Sequence, residues 1–213
     1  MRISIVYIAL LNTVMGLSFD LSLGDACNLD QDISISRENA SNINFKASFK
    51  TNGLKSPQYY SIRFRQHIKK KNLEFEFIHH KLYVEDLPSQ VDKFEVSDGY
   101  NLVLVNILNN IKDNIYYRIG IGTVVVHPDI MIDGETNYVK GGGLIPKFWT
   151  DGYHWGGISS QASLSYKNKI SSKVQFNLET KFVYAYTDIP VVSGSFTLQN
   201  LSVHFLAGLS FGT

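Results

Sequence analysis

The sequence has few of the residues that mark several common protein classes. It contains one cysteine, Cys27, so no disulfide can form within the chain. Five prolines and a hydrophobic content of 44% argue against a disordered or low-complexity protein. The formal net charge of +1 gives no general attraction to nucleic acid, and none is expected as a partner. Beyond the N-terminal segment, no apolar run reaches the ~18 residues that a membrane-spanning helix needs.

The first eighteen residues differ from the rest of the chain. Arg2 precedes the apolar stretch ISIVYIALLNTVMGLS, which ends in small residues such as Gly16 and Ser18. This pattern predicts a cleaved secretory signal peptide over residues 1–18, with a buried N-terminal strand as the alternative. Cys27 follows Gly-Asp-Ala, which lacks the aliphatic residue expected before a lipidated cysteine. Residues 19–42 are predicted to form a polar N-terminal segment.

The remaining chain alternates between apolar and polar residues with a period of two, which is typical of strands. Near the C-terminus, for example, Leu201, Val203 and Phe205 alternate with Ser202 and His204. Most of these stretches exceed the ~5–6 residues of an ordinary strand. The predicted strands are residues 43–51, 57–68, 72–84, 99–110, 114–126, 156–167, 172–187 and 196–211.

Short and long connections alternate between these strands. KKKN, NIKDN and KNKISS are short, whereas EDLPSQVDKFEVSD, residues 127–155 and DIPVVSGS are longer. An up-and-down barrel with turns at one rim and loops at the other produces this rhythm. Because no amphipathic helix can cover the apolar faces, closure with those faces in lipid is favoured. We therefore predict an all-β fold, an up-and-down eight-stranded antiparallel transmembrane β-barrel over residues 43–211.

The chain resembles the small eight-stranded outer-membrane β-barrel proteins of Gram-negative bacteria. The resemblance rests on the signal peptide, the loop rhythm and the last strand, LSVHFLAGLSFGT, in which Gly212 and Thr213 follow the terminal aromatic Phe211. It implies secretion through a cleaved signal peptide, residence in the bacterial outer membrane and contact with the bilayer and lipopolysaccharide. We expect a monomer. The resemblance is one of pattern, so it transfers no active site to this chain.

The inward-facing residues of the predicted barrel carry charges of both signs. An eight-stranded barrel has a lumen just wide enough to be filled by side chains, and buried charges must pair. We therefore predict an ion-pair network that plugs the lumen. Its predicted members are Arg63, Arg65, Glu74, Glu76, His79, Arg118, Glu179, Lys181 and His204.

The adjacent histidines His79 and His80 raise a question of strand phase. Unbroken alternation would point His79 and Lys81 toward lipid, which is costly. A bulge near Phe77–Ile78 would instead turn His79 and Lys81 inward and leave His80 facing outward near the rim. Neighbouring residues on a strand point to opposite faces, so the pair is not expected to bind a metal. No metal or cofactor is predicted.

The long connection over residues 127–155 is the least generic part of the sequence. Its aromatic residues are predicted to form a binding surface for an extracellular partner, since function commonly resides on loops above a rigid scaffold. They are Tyr138, Phe148, Trp149, Tyr153 and Trp155. The favoured function is a non-enzymatic outer-membrane protein with a structural or adhesive role through its long loops.

Two other functions remain open from the sequence. Ser202 and His204 share one strand face, and Glu179 lies on the adjacent strand, so the three could act as nucleophile, base and orienting acid. That constellation would suit an enzyme that modifies acyl chains of lipid A or phospholipid. Alternatively, the same alternation permits a secreted lipocalin-like carrier whose faces are inverted, with apolar residues inside and polar residues outside.

Overall fold

A computed structural model describes residues 17–68, 71–136, 152–191 and 194–212. No helix in these ranges is long and apolar enough to cross a membrane. The described residues form thirteen strands: β1 (Leu17–Asn28), β2 (Gln31–Arg37), β3 (Ile43–Ala47), β4 (Phe49–Lys50), β5 (Tyr60–Ile68), β6 (Lys71–Val84), β7 (Val91–Lys112), β8 (Ile115–Val126), β9 (Asp129–Ile132), β10 (Glu135–Thr136), β11 (His154–Lys169), β12 (Val174–Val191) and β13 (Gly194–Phe211).

Eight of these strands close into a barrel. The antiparallel pairings run β1–β5, β5–β6, β6–β7, β7–β8, β8–β11, β11–β12 and β12–β13, and β13 returns to pair with β1. Each strand of the ring therefore has a partner on both sides, and the ring itself has no open edge. The prediction of an eight-stranded antiparallel up-and-down barrel is confirmed. Tight turns lie at one rim and three longer connections at the other, but the longer connection predicted for DIPVVSGS is wrong, because β12 and β13 are separated there only by residues 192–193.

The first barrel strand differs from the predicted one. β1 begins at Leu17, so it crosses the predicted boundary between residues 1–18 and residues 19–42 and lies outside the predicted barrel over 43–211. It pairs with β5 from Leu17 to Leu23 and with β13 from Phe19 to Asn28. The predicted strand over 43–51 is instead split between β3, which pairs with β2, and the short β4. Residues 1–16 lie outside the described ranges, so cleavage of a signal peptide stays a prediction.

The outer face of the barrel is apolar at the level of the tight turns and the middle of the strands. Ile121, Ile158 and Phe182 expose 70%, 68% and 60% of their surface. Every strand of the ring contributes to this belt. Its members include Leu21, Leu23, Phe64, Phe75, Val105, Ile107, Ile119, Ile121, Ile158, Leu164, Leu178, Phe182, Leu201, Phe205 and Leu209.

The interior has two levels. Toward the tight turns it is polar, and toward the long connections it is a hydrophobic core. We call the end of the barrel that carries the long connections the wide end. The β2–β3 hairpin folds over the mouth at this end and buries Ile33, Ile35 and Ile43 against the core. Phe94 and Phe196 pack against each other beneath it with tilted rings whose centroids are 5.1 Å apart. The hairpin therefore closes the mouth that the long connections surround.

Candidate functional site

The polar level of the lumen centres on Glu76, which is fully buried on β6. Its carboxylate accepts hydrogen bonds from Arg63 Nε at 2.7 Å, Gln161 Nε2 at 2.6 Å and Asn106 Nδ2 at 2.8 Å. Ser61 and the ammonium of Lys181 are further donors to the same group. Donors from β5, β7, β11 and β12 thus converge on one carboxylate of β6 and join five strands of the wall.

A glycine on β8 makes room for part of this arrangement. A Cβ atom added to Gly120 would lie 1.7 Å from Asn106 Oδ1. That oxygen accepts a hydrogen bond from Gln161 at 2.7 Å while the amide nitrogen of Asn106 donates to Glu76. The missing side chain at Gly120 therefore lets Asn106 reach both partners.

Two further carboxylates are held by arginines. Arg118, which is fully buried, bridges them: its Nη1 lies 2.7 Å from Glu179 and its Nε donates to Glu74. Arg65 Nε also binds Glu74, at 2.8 Å, and Arg63 Nη2 binds Glu179. These residues were predicted to meet in the lumen, and the structure places them in one continuous network.

Two members of the network were missed by sequence analysis. Asp20 Oδ2 lies 2.8 Å from Arg65 Nη2 and 3.0 Å from the ammonium of Lys167. Asp20 was missed because β1 was assigned to the N-terminal segment. The signal was present, since Phe19, Leu21 and Leu23 alternate with Asp20.

The network contains one more cation than it has carboxylates. Arg63, Arg65, Arg118, Lys167 and Lys181 provide five positive charges, and Asp20, Glu74, Glu76 and Glu179 provide four negative ones. All nine side chains are at most 10% exposed. Such a set of desolvated charges is costly unless each one is paired, and here each has a partner of opposite sign.

His79 is not part of the network, and this corrects the prediction. The β6–β7 register runs without interruption from Asn72 to His80, so the bulge expected near Phe77–Ile78 is absent. The irregularity lies between His80 and Leu82. His80 therefore faces the lumen, whereas His79 lies on the outer face. There its Nδ1 is 2.8 Å from Asn101 Oδ1 and its ring stacks on Tyr60 at 5.2 Å.

Lys81 also points outward, and the loop before β5 satisfies its charge. The ammonium donates to the carbonyl oxygens of Asn52 at 2.8 Å and Lys55 at 2.6 Å. The bulge was invoked to keep His79 and Lys81 out of lipid. A loop and a neighbouring asparagine achieve the same end without breaking the alternation.

The weak catalytic candidates are only partly brought together. Ser202 Oγ lies 2.8 Å from His204 Nε2, while His204 Nδ1 lies 2.6 Å from Tyr59 OH. Glu179 is occupied by Arg63, Arg118 and Lys181 instead. Tyr59 takes the place that the acid was expected to fill.

The hydroxyl of Ser202 lies between two partners, Asn200 Oδ1 at 3.1 Å and His204 Nε2 at 2.8 Å. Asn200 Nδ2 in turn donates to Asn28 Oδ1 at 3.1 Å. Ser202 and His204 are 1% and 0% exposed, so both are enclosed in the interior of the barrel. This burial does not suit a nucleophile and base that must reach an external acyl chain.

Two of the five aromatic residues of the predicted loop surface, Tyr153 and Trp155, lie within the described residues. Tyr138, Phe148 and Trp149 lie outside the described residues. Tyr153 packs against His127, with ring centroids 4.6 Å apart, and its hydroxyl donates to the carbonyl oxygen of Asp98. Trp155 is exposed on β11. Tyr153 therefore holds the start of β11 in place, whereas the side chain of Trp155 is exposed on the outer face.

Ion pairs join the strands and loops at the wide end of the barrel. Arg37 binds Asp133 at 2.9 Å, Lys46 lies 3.5 Å from Asp30, and Lys50 binds Glu85. Lys93 binds Asp129, and this hydrogen bond is the main cause that raises the pKa of the Lys93 ammonium. Within the described ranges, no group of three His, Cys, Asp or Glu side chains is placed to hold a metal ion.

No protein-family model and no curated protein matches this chain. Among solved structures, it is similar to Neisserial surface protein A, with 8% identity over 93% of this chain and 97% of that one and a TM-score of 0.48. It is also similar to Ail, the attachment invasion locus protein of Yersinia pestis, with 10% identity, coverages of 91% and 98% and a TM-score of 0.44. It is similar as well to the outer membrane protein AlkL, solved in DMPC bilayers, with 8% identity over 91% of this chain and 89% of that one and a TM-score of 0.45. Sequence identities of 8–10% and TM-scores below 0.5 carry no function over to this chain, which leaves its own side chains as the guide to function.

Proposed function

We propose that this chain spans the outer membrane of a bacterium as a plugged barrel and has a structural or adhesive role at the cell surface. The observation that carries the proposal is the polarity of the wall. Where the strands are longest and most regular, large apolar side chains are exposed outside and paired charges are buried inside. In water this arrangement would expose a continuous apolar belt, but in a bilayer it satisfies both faces.

The limits of the apolar belt support a membrane of ordinary thickness. On β13 the outward residues are apolar from Leu201 to Phe211, close to the ~9–11 residues of a spanning strand. The exposed aromatics Tyr117 and Tyr166 lie near the tight turns, and Tyr186 and Trp155 lie toward the wide end. Aromatic residues at both limits are typical of transmembrane barrels, where they sit among the headgroups.

A lipocalin-like carrier would need the opposite polarity. Its lumen would have to be apolar and its outer face polar. Here the lumen at the level of the belt holds Glu76, Arg118 and Lys181, and the outer face holds residues such as Phe182 and Ile121. The charged network also fills the space that an apolar ligand would occupy.

The interior favours neither a channel nor an enzyme. The nine charged side chains of the network bridge the lumen from wall to wall, and the hydrophobic core beneath the β2–β3 hairpin closes the wide mouth. The burial of Ser202 and His204 does not suit an acyl-modifying activity. The β2–β3 hairpin and the exposed Trp155 remain accessible at the wide end of the barrel, and we place contacts with an extracellular partner there and on the connection over residues 127–155.

The proposal is tested by fractionation of expressing cells and by gel mobility with and without boiling. A protein that sediments with the outer membrane and migrates faster when unheated would support an embedded barrel. A soluble protein without a heat-dependent shift would overturn the proposal.

A further inference from the structure

The rim formed by the tight turns carries a cluster of lysines. Lys71 begins β6, Lys112 ends β7 and Lys169 ends β11, each beside a tight turn, and Lys173 lies in the turn between β11 and β12. All four are exposed. The three turns read IKKK, IKDNI and KISSK, so Asp113 is the one acidic residue in their sequences.

These lysines differ from the cations at the wide end. Arg37, Lys46, Lys50 and Lys93 each have a carboxylate partner. Within the described ranges, none of the four turn lysines forms an ion pair. Their charges are therefore available to an external anion.

An exposed isoleucine accompanies the lysines in every turn. Ile68, Ile111 and Ile170 are 45%, 56% and 64% exposed, and each is within three residues of a lysine of the cluster. These isoleucines extend the apolar belt to the rim that carries the tight turns. The rim therefore offers an apolar residue to the edge of the hydrocarbon and an ammonium to the layer just beyond it.

We propose that this rim binds the headgroups of anionic phospholipids in the leaflet that surrounds the tight turns. The inference rests on the proposed membrane function, because it requires the apolar belt to lie in lipid. Its occupant follows from the position of the lysines at the end of the belt and from their lack of carboxylate partners. Each lysine near an anionic surface increases the binding constant about 5-fold, and salt weakens the effect.

The test uses the full mature chain, folded into bilayers that contain phosphatidylcholine with or without phosphatidylglycerol. Spin-labelled lipids measure the preference of the folded barrel for phosphatidylglycerol over phosphatidylcholine. The rim variant carries Lys71→Gln, Lys112→Gln, Lys169→Gln and Lys173→Gln. The matched control carries Lys46→Gln and Lys50→Gln at the wide end, where the lysines are already paired.

We expect a preference for phosphatidylglycerol in the parent and in the control, a loss of at least about 5-fold in the rim variant, and a decline with added salt. An equal preference in the parent and the rim variant would overturn the inference. Binding to peptidoglycan fragments that depends on the rim lysines, without lipid preference, would overturn the assignment to phospholipid. Failure to reach a heat-shifted folded form in any bilayer would instead refute the membrane function itself.

Discussion

Replacement of Glu76 by glutamine tests whether the lumen is a desolvated ion-pair network. The change keeps the size of the side chain but removes the charge on which Arg63 and Lys181 converge. The lumen would then hold five cations but only three carboxylates, one carboxylate fewer than in the parent protein. Removing one partner from a buried pair typically costs about 3–5 kcal/mol, because the remaining charge stays buried without compensation. We expect Glu76→Gln to lower the free energy of unfolding by that amount.

The measurement is a urea titration of the protein folded in bilayers, followed by the fraction that migrates as the unheated form. Glu85→Gln is the matched control, since Glu85 binds Lys50 at the exposed rim and such pairs contribute at most about 1 kcal/mol. Glu76→Gln combined with Lys181→Gln should recover part of the loss, because the excess of positive charge returns to one. A loss below about 1 kcal/mol for Glu76→Gln would mean that water screens the lumen, and the plugged-barrel argument would fail.

Three further substitutions test other parts of the structure. Gly120→Val should destabilise the folded barrel by about 1–3 kcal/mol in the same titration, because its Cβ would collide with Asn106; an unchanged midpoint would contradict this packing. Phe205→Arg should cost about 2–4 kcal/mol in bilayers, whereas Thr197→Arg, nearer the wide end of the same strand, should be close to neutral; equal effects would place the membrane boundary elsewhere. Ser202→Ala should cost about 1–3 kcal/mol, since it removes the buried hydroxyl that contacts both Asn200 and His204, and it should leave acyl-hydrolase activity unchanged; loss of an acyl-hydrolase activity without loss of stability would restore the enzyme hypothesis.

Strand phase was predictable wherever alternation was continuous and turns were short. The inward direction of Glu179 and Lys181 follows directly from the outward Phe182 and Leu178, because adjacent side chains on a strand point to opposite faces. The partners of each charge could not be predicted in the same way. Arg118 meets Glu74 and Glu179 from two non-adjacent strands, and such contacts depend on the shear and closure of the barrel.

The two errors have separate physical causes. β1 was hidden because Asp20 and Asp25 made its sequence look like a polar linker, although both positions fit a strand once the barrel closes. His79 was turned inward on the assumption that a polar outward residue must face lipid. Its hydrogen bond to Asn101 and its stacking on Tyr60 depend on neighbouring strands, which the local sequence does not specify.

The polarity of the wall reverses along single strands, and this reversal explains why the interior has two levels. On β12, Phe176, Leu178 and Phe182 face outward at the narrow end, but Asp188 does so near the wide end. The inward residues change in the opposite sense, from Glu179 and Lys181 to Val183, Ala185, Ile189 and Val191. The proposed membrane position accounts for this reversal: with lipid around one part of the strand and water around the other, the hydrophobic effect puts apolar residues outside in the first part and inside in the second. The charged network and the hydrophobic core are thus two consequences of one strand crossing a boundary between solvents.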